Sequence, residues 1–246
     1  MICKRCNTEI SEDSKYCKEC GVFLKKDIEE HISKALLYRK RGGPAGLGNA
    51  LNELDEALKI EPENAEANYY MGKLMYDDAF FKESLGYYKK ALEDAPEWTE
   101  VHFALGVSYY RLCRIDDAIA AFKQAAVLNP EYIDAYYFSG ICSYHKGNLD
   151  MAIDQFEKVI RMAPQYGIAY YHLGRAYNKK KFTDKAISVL EKLVEINPQD
   201  SDAFFHLGFS YWKNGEDDRA IWALQKATDL NPEDETAKEL MKQLMR

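Results

Sequence analysis

Residues 99–132 read TEVHFALGVSYYRLCRIDDAIAAFKQAAVLNPEY, and the spacing inside this stretch decides the fold. Val101, Leu105 and Tyr109 stand four apart, which puts them on one face of a helix. Gly106, within that helix, removes a side chain where a second helix has to come close. Ala118, Phe122 and Ala125 mark the inner face of the second helix, and Asp116 is expected to cap its start. Pro130 has no N–H and disfavours helix in the residue before it, so the second helix stops there. Thirty-four residues thus encode one helical hairpin.

The hairpin recurs along the chain. Glycine returns at Gly72, Gly106, Gly140, Gly174 and Gly208, and proline at Pro62, Pro96, Pro130, Pro164, Pro198 and Pro232, always 34 residues apart. Ser84, Ala118, Ala152, Ala186 and Ala220 keep the same period. A period of this size marks a repeat architecture. The expected caps continue at Asp150, Asp184 and Asp218, while Lys82 breaks the series and predicts a frayed second helix in that repeat.

The length and the small, aromatic and proline positions resemble the tetratricopeptide repeat. Its large residue at the fourth position stands here as Tyr136, Tyr170 and Phe204, and is weaker at Asn68 and His102. The resemblance implies an all-α fold, a right-handed α-solenoid of helix-turn-helix repeats over 65–98, 99–132, 133–166, 167–200 and 201–234. Residues 31–64 read as a degenerate repeat. Ala50, Leu54, Ala57 and Pro62 fall in register, Tyr38 stands where glycine is expected, and Gly42-Gly43-Pro44-Ala45-Gly46 is read as its turn. No Lys-Ser or Lys-Thr follows that run, so it is not read as a phosphate loop. Ala237, Leu240, Met241, Leu244 and Met245 give 235–246 the apolar face of a capping helix.

Four of the six cysteines lie in the first 20 residues. Cys3 and Cys6 form one C-x-x-C, Cys17 and Cys20 a second. Two residues between cysteines let one tight turn aim both sulfurs at a single ion, and four thiolates suit tetrahedral zinc. The knuckles read Cys-Lys-Arg-Cys-Asn and Cys-Lys-Glu-Cys-Gly, which resembles a short zinc ribbon without its usual prolines. The expectation is one structural zinc ion in a small knuckle domain over 1–24, joined by a linker at 25–30. Iron suits the same ligands. Cys113 and Cys142 read as packing residues.

The chain has 246 residues and a net charge of −7. Residues 1–26 carry six basic and four acidic side chains, and the remaining 220 carry 27 basic and 36 acidic. An acidic body repels phosphate backbones, which disfavours nucleic acid for the repeats and leaves the basic head as its only candidate contact. No apolar run reaches the roughly 20 residues of a membrane span. The N-terminus lacks a signal-peptide pattern, so a cytoplasmic location is expected.

The resemblance also implies a concave face, lined by the first helix of each repeat, that takes a peptide or helix from a partner. Its candidate residues are Tyr69, Lys73, Phe103, Val107, Tyr110, Tyr137, Phe138, Ile141, Tyr144, Tyr171, His172, Arg175, Phe205, Phe209 and Trp212. The aromatic ones equally suit packing between neighbouring first helices, and the sequence leaves both roles open. Arg175, Lys179 and Lys213 near the C-terminal cluster favour an amphipathic partner with acidic residues. The lysine and asparagine positions of the chaperone-tail clamp are not matched. His31, His102, His145, His172 and His206 form no catalytic constellation with the scattered carboxylates. The reading is therefore a non-enzymatic scaffold. Its rivals are a nucleic-acid-associated factor acting through the ribbon, an enzyme accessory subunit, and a homo-oligomer using an outward-facing Trp222.

Overall fold

The computed structural model describes residues 25–245, together with Cys6, Thr8, Glu9, Lys18 and Glu19. The expected zinc ribbon, with Cys3, Cys17 and Cys20, lies outside the described residues. Cys6 is exposed, and its Sγ lies 3.2 Å from Thr8 Oγ1. The chain divides into two compact units, Met1–Leu128 and Asn129–Arg246.

The first unit holds α1 (Lys25–Arg41), α2 (Gly43–Ile60), α3 (Ala65–Asp77), α4 (Phe81–Asp94), α5 (Thr99–Arg111) and α6 (Ile115–Leu128). The second holds α7 (Ile133–Lys146), α8 (Leu149–Met162), α9 (Gly167–Lys179), α10 (Thr183–Ile196), α11 (Ser201–Lys213), α12 (Asp217–Leu230) and α13 (Glu235–Leu244). In each unit every helix packs against the next, and the first helices of successive hairpins touch as well: α1 with α3, α3 with α5, α7 with α9, α9 with α11. All thirteen described elements longer than a turn are helices.

Each hairpin closes on a glycine. A Cβ added at Gly106 would meet the Phe122 ring at 2.6 Å, and one at Gly140 would meet Phe156 at 2.7 Å. Those rings are fully buried. Burying one phenylalanine contributes about 1.5–3 kcal/mol, so the glycine lets the largest side chain of the second helix lie directly on the first helix. Gly174 and Gly208 make the same room for Leu190 and Leu224.

Residues 25–30, read as the linker, are the opening turns of α1. Three local expectations are corrected. The glycine-rich turn shrinks to Gly42 and Gly43, both at positive φ (71° and 74°), and α2 begins at Gly43 with Pro44 in its first turn. Helix α4 has the same 14 residues as α6, α8, α10 and α12, so Lys82 does not fray it. Asp116, Asp150, Asp184 and Asp218 lie inside the first turns of their helices, not at the N-cap. There a carboxylate favours the helix through the macrodipole. Asp150 and Asp184 do more: Asp150 pairs with Lys180, and Asp184 accepts from Asn214 at 3.2 Å, each tying its hairpin to the loop of the next. Side-chain caps come from Asn64, Asn148, Asp200 and Asp234.

The weak fourth-position residues have a use. Asn68 is buried, and its Nδ2 donates to Pro62 O at 2.9 Å. His102 Nε2 lies 2.8 Å from Pro96 O, and Tyr170 OH donates to Pro164 O at 3.0 Å. Three side chains thus satisfy one recurrent carbonyl.

Candidate functional site

The candidate residues fall in both units, and each set is described in its own. In the first unit they lie on α3 and α5. The Tyr69 ring packs against Trp98 at 4.8 Å and Tyr88 at 6.1 Å, with Lys73 Nζ 6.0 Å from its centre. Burial pushes the Tyr69 phenol up. Phe103 lies 5.5 Å from Phe122. Val107 and Tyr110 are half-buried beside it in sequence on α5. Tyr69 and Phe103 therefore seal their own hairpins while keeping part of each ring exposed.

In the second unit the residues lie on α7, α9 and α11. Tyr137 repeats the sealing role, packing against Phe156 at 6.2 Å and Tyr166 at 5.6 Å. Phe138 meets Tyr137 edge-on at 5.3 Å and stays half-buried. Ile141, expected on the groove floor, is only 8% exposed and belongs to the buried set. His172 stacks on Phe156, and His206 lies edge-on to Tyr171 at 5.0 Å. Burial, reinforced by the Arg175 guanidinium, lowers the pKa of both imidazoles to about 4. Both rings are neutral at neutral pH. Among the described residues, no three His, Cys, Asp or Glu side chains gather in a group able to hold a metal.

Between the first helices of this unit lies an open pocket of about 630 Å³. Tyr144 of α7, Arg175, Asn178 and Lys179 of α9, and His206, Phe209 and Lys213 of α11 line it, with Lys181 and Thr183 at its edge. Aromatic faces hold the cations. Arg175 lies over Tyr144 and Tyr171 at 5.5 and 5.3 Å, Lys179 over Tyr144 at 4.9 Å, and Lys213 over Trp212 at 4.1 Å and Phe209 at 5.3 Å. Such contacts orient a cation without neutralising it. Of the sequence candidates, this pocket gathers Tyr144, Arg175 and Phe209 directly, with Tyr171 and Trp212 behind the cations. Phe205 packs outside it in the cluster around Leu224 and Leu240. Lys181 is not a sequence candidate, because it stands in a loop and not on a first helix.

A second, shallower pocket lies between α10, α11 and α12, bordered by the half-exposed Trp222 and by Arg219, whose guanidinium binds Glu191, Glu216 and Tyr211 OH. Its cation is already committed to those partners.

A tetratricopeptide repeat profile matches residues 71–130, 103–167 and 144–201, and a second one matches 181–244. Among solved structures, the protein MamA is 30% identical, with 68% of this chain and 97% of that one covered and a TM-score of 0.64. YrrB, described as a repeat protein of this kind with an unusual peptide-binding site, is 21% identical over 77% of this chain and 97% of its own, TM-score 0.68. PilF of Pseudomonas aeruginosa is 19% identical over 89% of this chain and 98% of its own, TM-score 0.70. The last two likenesses speak to the fold alone. No curated protein matches the chain. No helix among the described residues is long and apolar enough to cross a membrane.

Proposed function

Because the chain belongs to the tetratricopeptide repeat family, whose members are typically non-enzymatic interaction scaffolds, we propose that it holds a partner peptide or helix against its first helices and performs no chemistry of its own. The observation that carries this reading is the open pocket between α9 and α11. It is wide enough for side chains, walled by Tyr144 and Phe209, and placed on the face that successive first helices share. Half-exposed aromatic rings flanking polar groups are the composition of a recognition surface rather than of a sealed core. Phe138 extends the same kind of surface along α7.

Affinity capture from native extract with the full chain tests the reading. A chain carrying Phe138→Ala and Phe209→Ala is expected to lose the partners that the parent chain retains, while its thermal unfolding stays within a few degrees of the parent. Equal capture by both chains would place the binding face elsewhere.

The head is assigned a second role under the same proposal. Cys3, Cys6, Cys17 and Cys20 together offer four thiolates, a donor set that leaves no open position and so suits structural zinc rather than catalytic zinc. A segment this short cannot bury enough apolar surface to fold alone, and metal binding supplies the folding free energy. Elemental analysis of the purified chain is expected to give one zinc per molecule, lost on Cys6→Ser with Cys20→Ser. A zinc-free chain from zinc-replete medium contradicts this assignment and leaves the peptide reading untouched.

A further inference from the structure

We propose that the pocket between α9 and α11 receives an acidic peptide segment, whose carboxylates Arg175, Lys179, Lys181 and Lys213 grip. The inference rests on the scaffold reading and adds the chemistry of the partner.

Charge comes first. Residues 129–246 carry eighteen acidic and fifteen basic side chains, yet four cations and no carboxylate line this pocket. Lys158 and Lys185 of this unit likewise lie on rings, but singly, whereas other cations are neutralised. Lys180 pairs with Asp150, Lys192 with Glu195, Arg161 with Glu157 and Arg219 with Glu191. The four in the pocket form no ion pair with a carboxylate among the described residues, although Arg175, Lys179 and Lys213 are held in place by rings. Fixed, unneutralised positive charge in a partly desolvated concavity is a device for attracting anions.

Lys181 adds a backbone observation. Its φ is +62°, a conformation that costs a non-glycine residue about 1–2 kcal/mol. The equivalent loop residues at steps of 34 are Ala79, Cys113, Gly147 and Gly215, all at positive φ, so the left-handed backbone belongs to the repeat. In this repeat the position is filled by a lysine, and the turn brings it to the lining of the pocket.

Asn178 ties α9 to α11 beside the pocket. Its Nδ2 donates to Ser210 Oγ at 2.8 Å, and its buried Oδ1 accepts no hydrogen bond from the protein. That oxygen has almost no surface open to the pocket, so it is the walls that point to a peptide rather than a bare anion. The aromatic walls of Tyr144 and Phe209 suit apolar residues between the acidic ones. His206, held neutral beside Arg175, is a built-in reporter, because a bound carboxylate favours its protonated form.

The test uses the full chain and a fluorescein-labelled peptide of alternating glutamate and leucine, read by anisotropy. The proposal expects binding that weakens with salt. It also expects a loss of about tenfold or more when every glutamate is replaced by glutamine, and again when the chain carries Arg175→Gln and Lys213→Gln. Ring NMR should show the His206 pKa rising above 4 when the glutamate peptide binds. Equal affinity for both peptides, equal binding by the variant, or no binding of the glutamate peptide overturns the proposal. So does binding of a phosphoserine counterpart alone. The scaffold reading fails separately: it survives if native partners still depend on Phe138 and Phe209 but not on Arg175 and Lys213.

Discussion

In the α5–α6 hairpin the glycine stands on the first helix, and an added Cβ at Gly106 would touch the ring of Phe122. In the α1–α2 hairpin the glycine stands on the second helix instead. An added Cβ at Gly46 would lie 2.7 Å from the backbone carbonyl oxygen of Tyr38. Tyr38 occupies the position that holds glycine in every later hairpin. The two regions share one requirement, that one helix give up its Cβ where the pair approaches most closely, and they differ in which helix does so. In the later hairpins the space is filled by a side chain from the partner. In the first it is filled by backbone, which explains the early start of α2 at Gly43 and a loop reduced to Gly42.

The difference has a measurable consequence. Side chains can shift by a few tenths of an ångström; a carbonyl inside a helix cannot shift without bending its helix. Overpacking costs about 1–3 kcal/mol, and replacing glycine by alanine in a helix returns about 0.5–1 kcal/mol. Gly46→Ala is therefore expected to cost about 1–2 kcal/mol in urea unfolding of the full chain. Gly174→Ala, which meets the buried Leu190 at 2.7 Å but can be relieved by a turn of that side chain, is expected to cost less, about 0.5 kcal/mol. Equal costs would mean that the first hairpin closes like the others.

Capping offers a smaller contrast of the same kind. Asp200 accepts from the Ala203 N–H at 3.0 Å and is a true N-cap, whereas Asp184 sits within the first turn of α10. Asp200→Ala is expected to destabilise by about 1 kcal/mol. Asp184→Ala should cost about 0.5 kcal/mol, less in high salt, because an exposed charge near a helix terminus and one long, exposed hydrogen bond from Asn214 are lost.

That contrast shows where sequence reading stops. The 34-residue period, the paired glycine and bulky residue, and the terminating proline are legible because each follows from helix geometry at fixed spacing. The caps are not. Aspartate is favoured both at the N-cap and in the first turn, so Asp116, Asp150, Asp184 and Asp218 read correctly as helix starts and wrongly as caps. Asn68 and His102 look like weak matches because the pattern records size, while the structure uses their nitrogens on a proline carbonyl. The basic pocket was half legible. Arg175, Lys179 and Lys213 fall on the shared face by register, but Lys181 reaches it only through a loop conformation that residue identity conceals. The run Asn178-Lys179-Lys180-Lys181 was its one visible sign, and of its three lysines one pairs with Asp150 and two line the pocket.

The smallest effect bears most directly on that loop. At Lys181 the left-handed backbone costs about 1–2 kcal/mol, and glycine would remove this cost while adding about 0.5–1 kcal/mol of chain entropy to be lost on folding. Lys181→Gly is thus expected to stabilise the chain by about 0.5 kcal/mol, and Gly147→Lys to destabilise it by a similar amount. The same Lys181→Gly chain should bind the glutamate–leucine peptide more weakly, because one of four gripping cations is gone. Opposite signs in stability and binding would set Lys181 apart from Ala79 and Cys113, which share its loop position and its backbone. A chain that gained stability and bound the peptide unchanged would show that Lys181 is only an ill-suited loop residue, and that the pocket works with three cations.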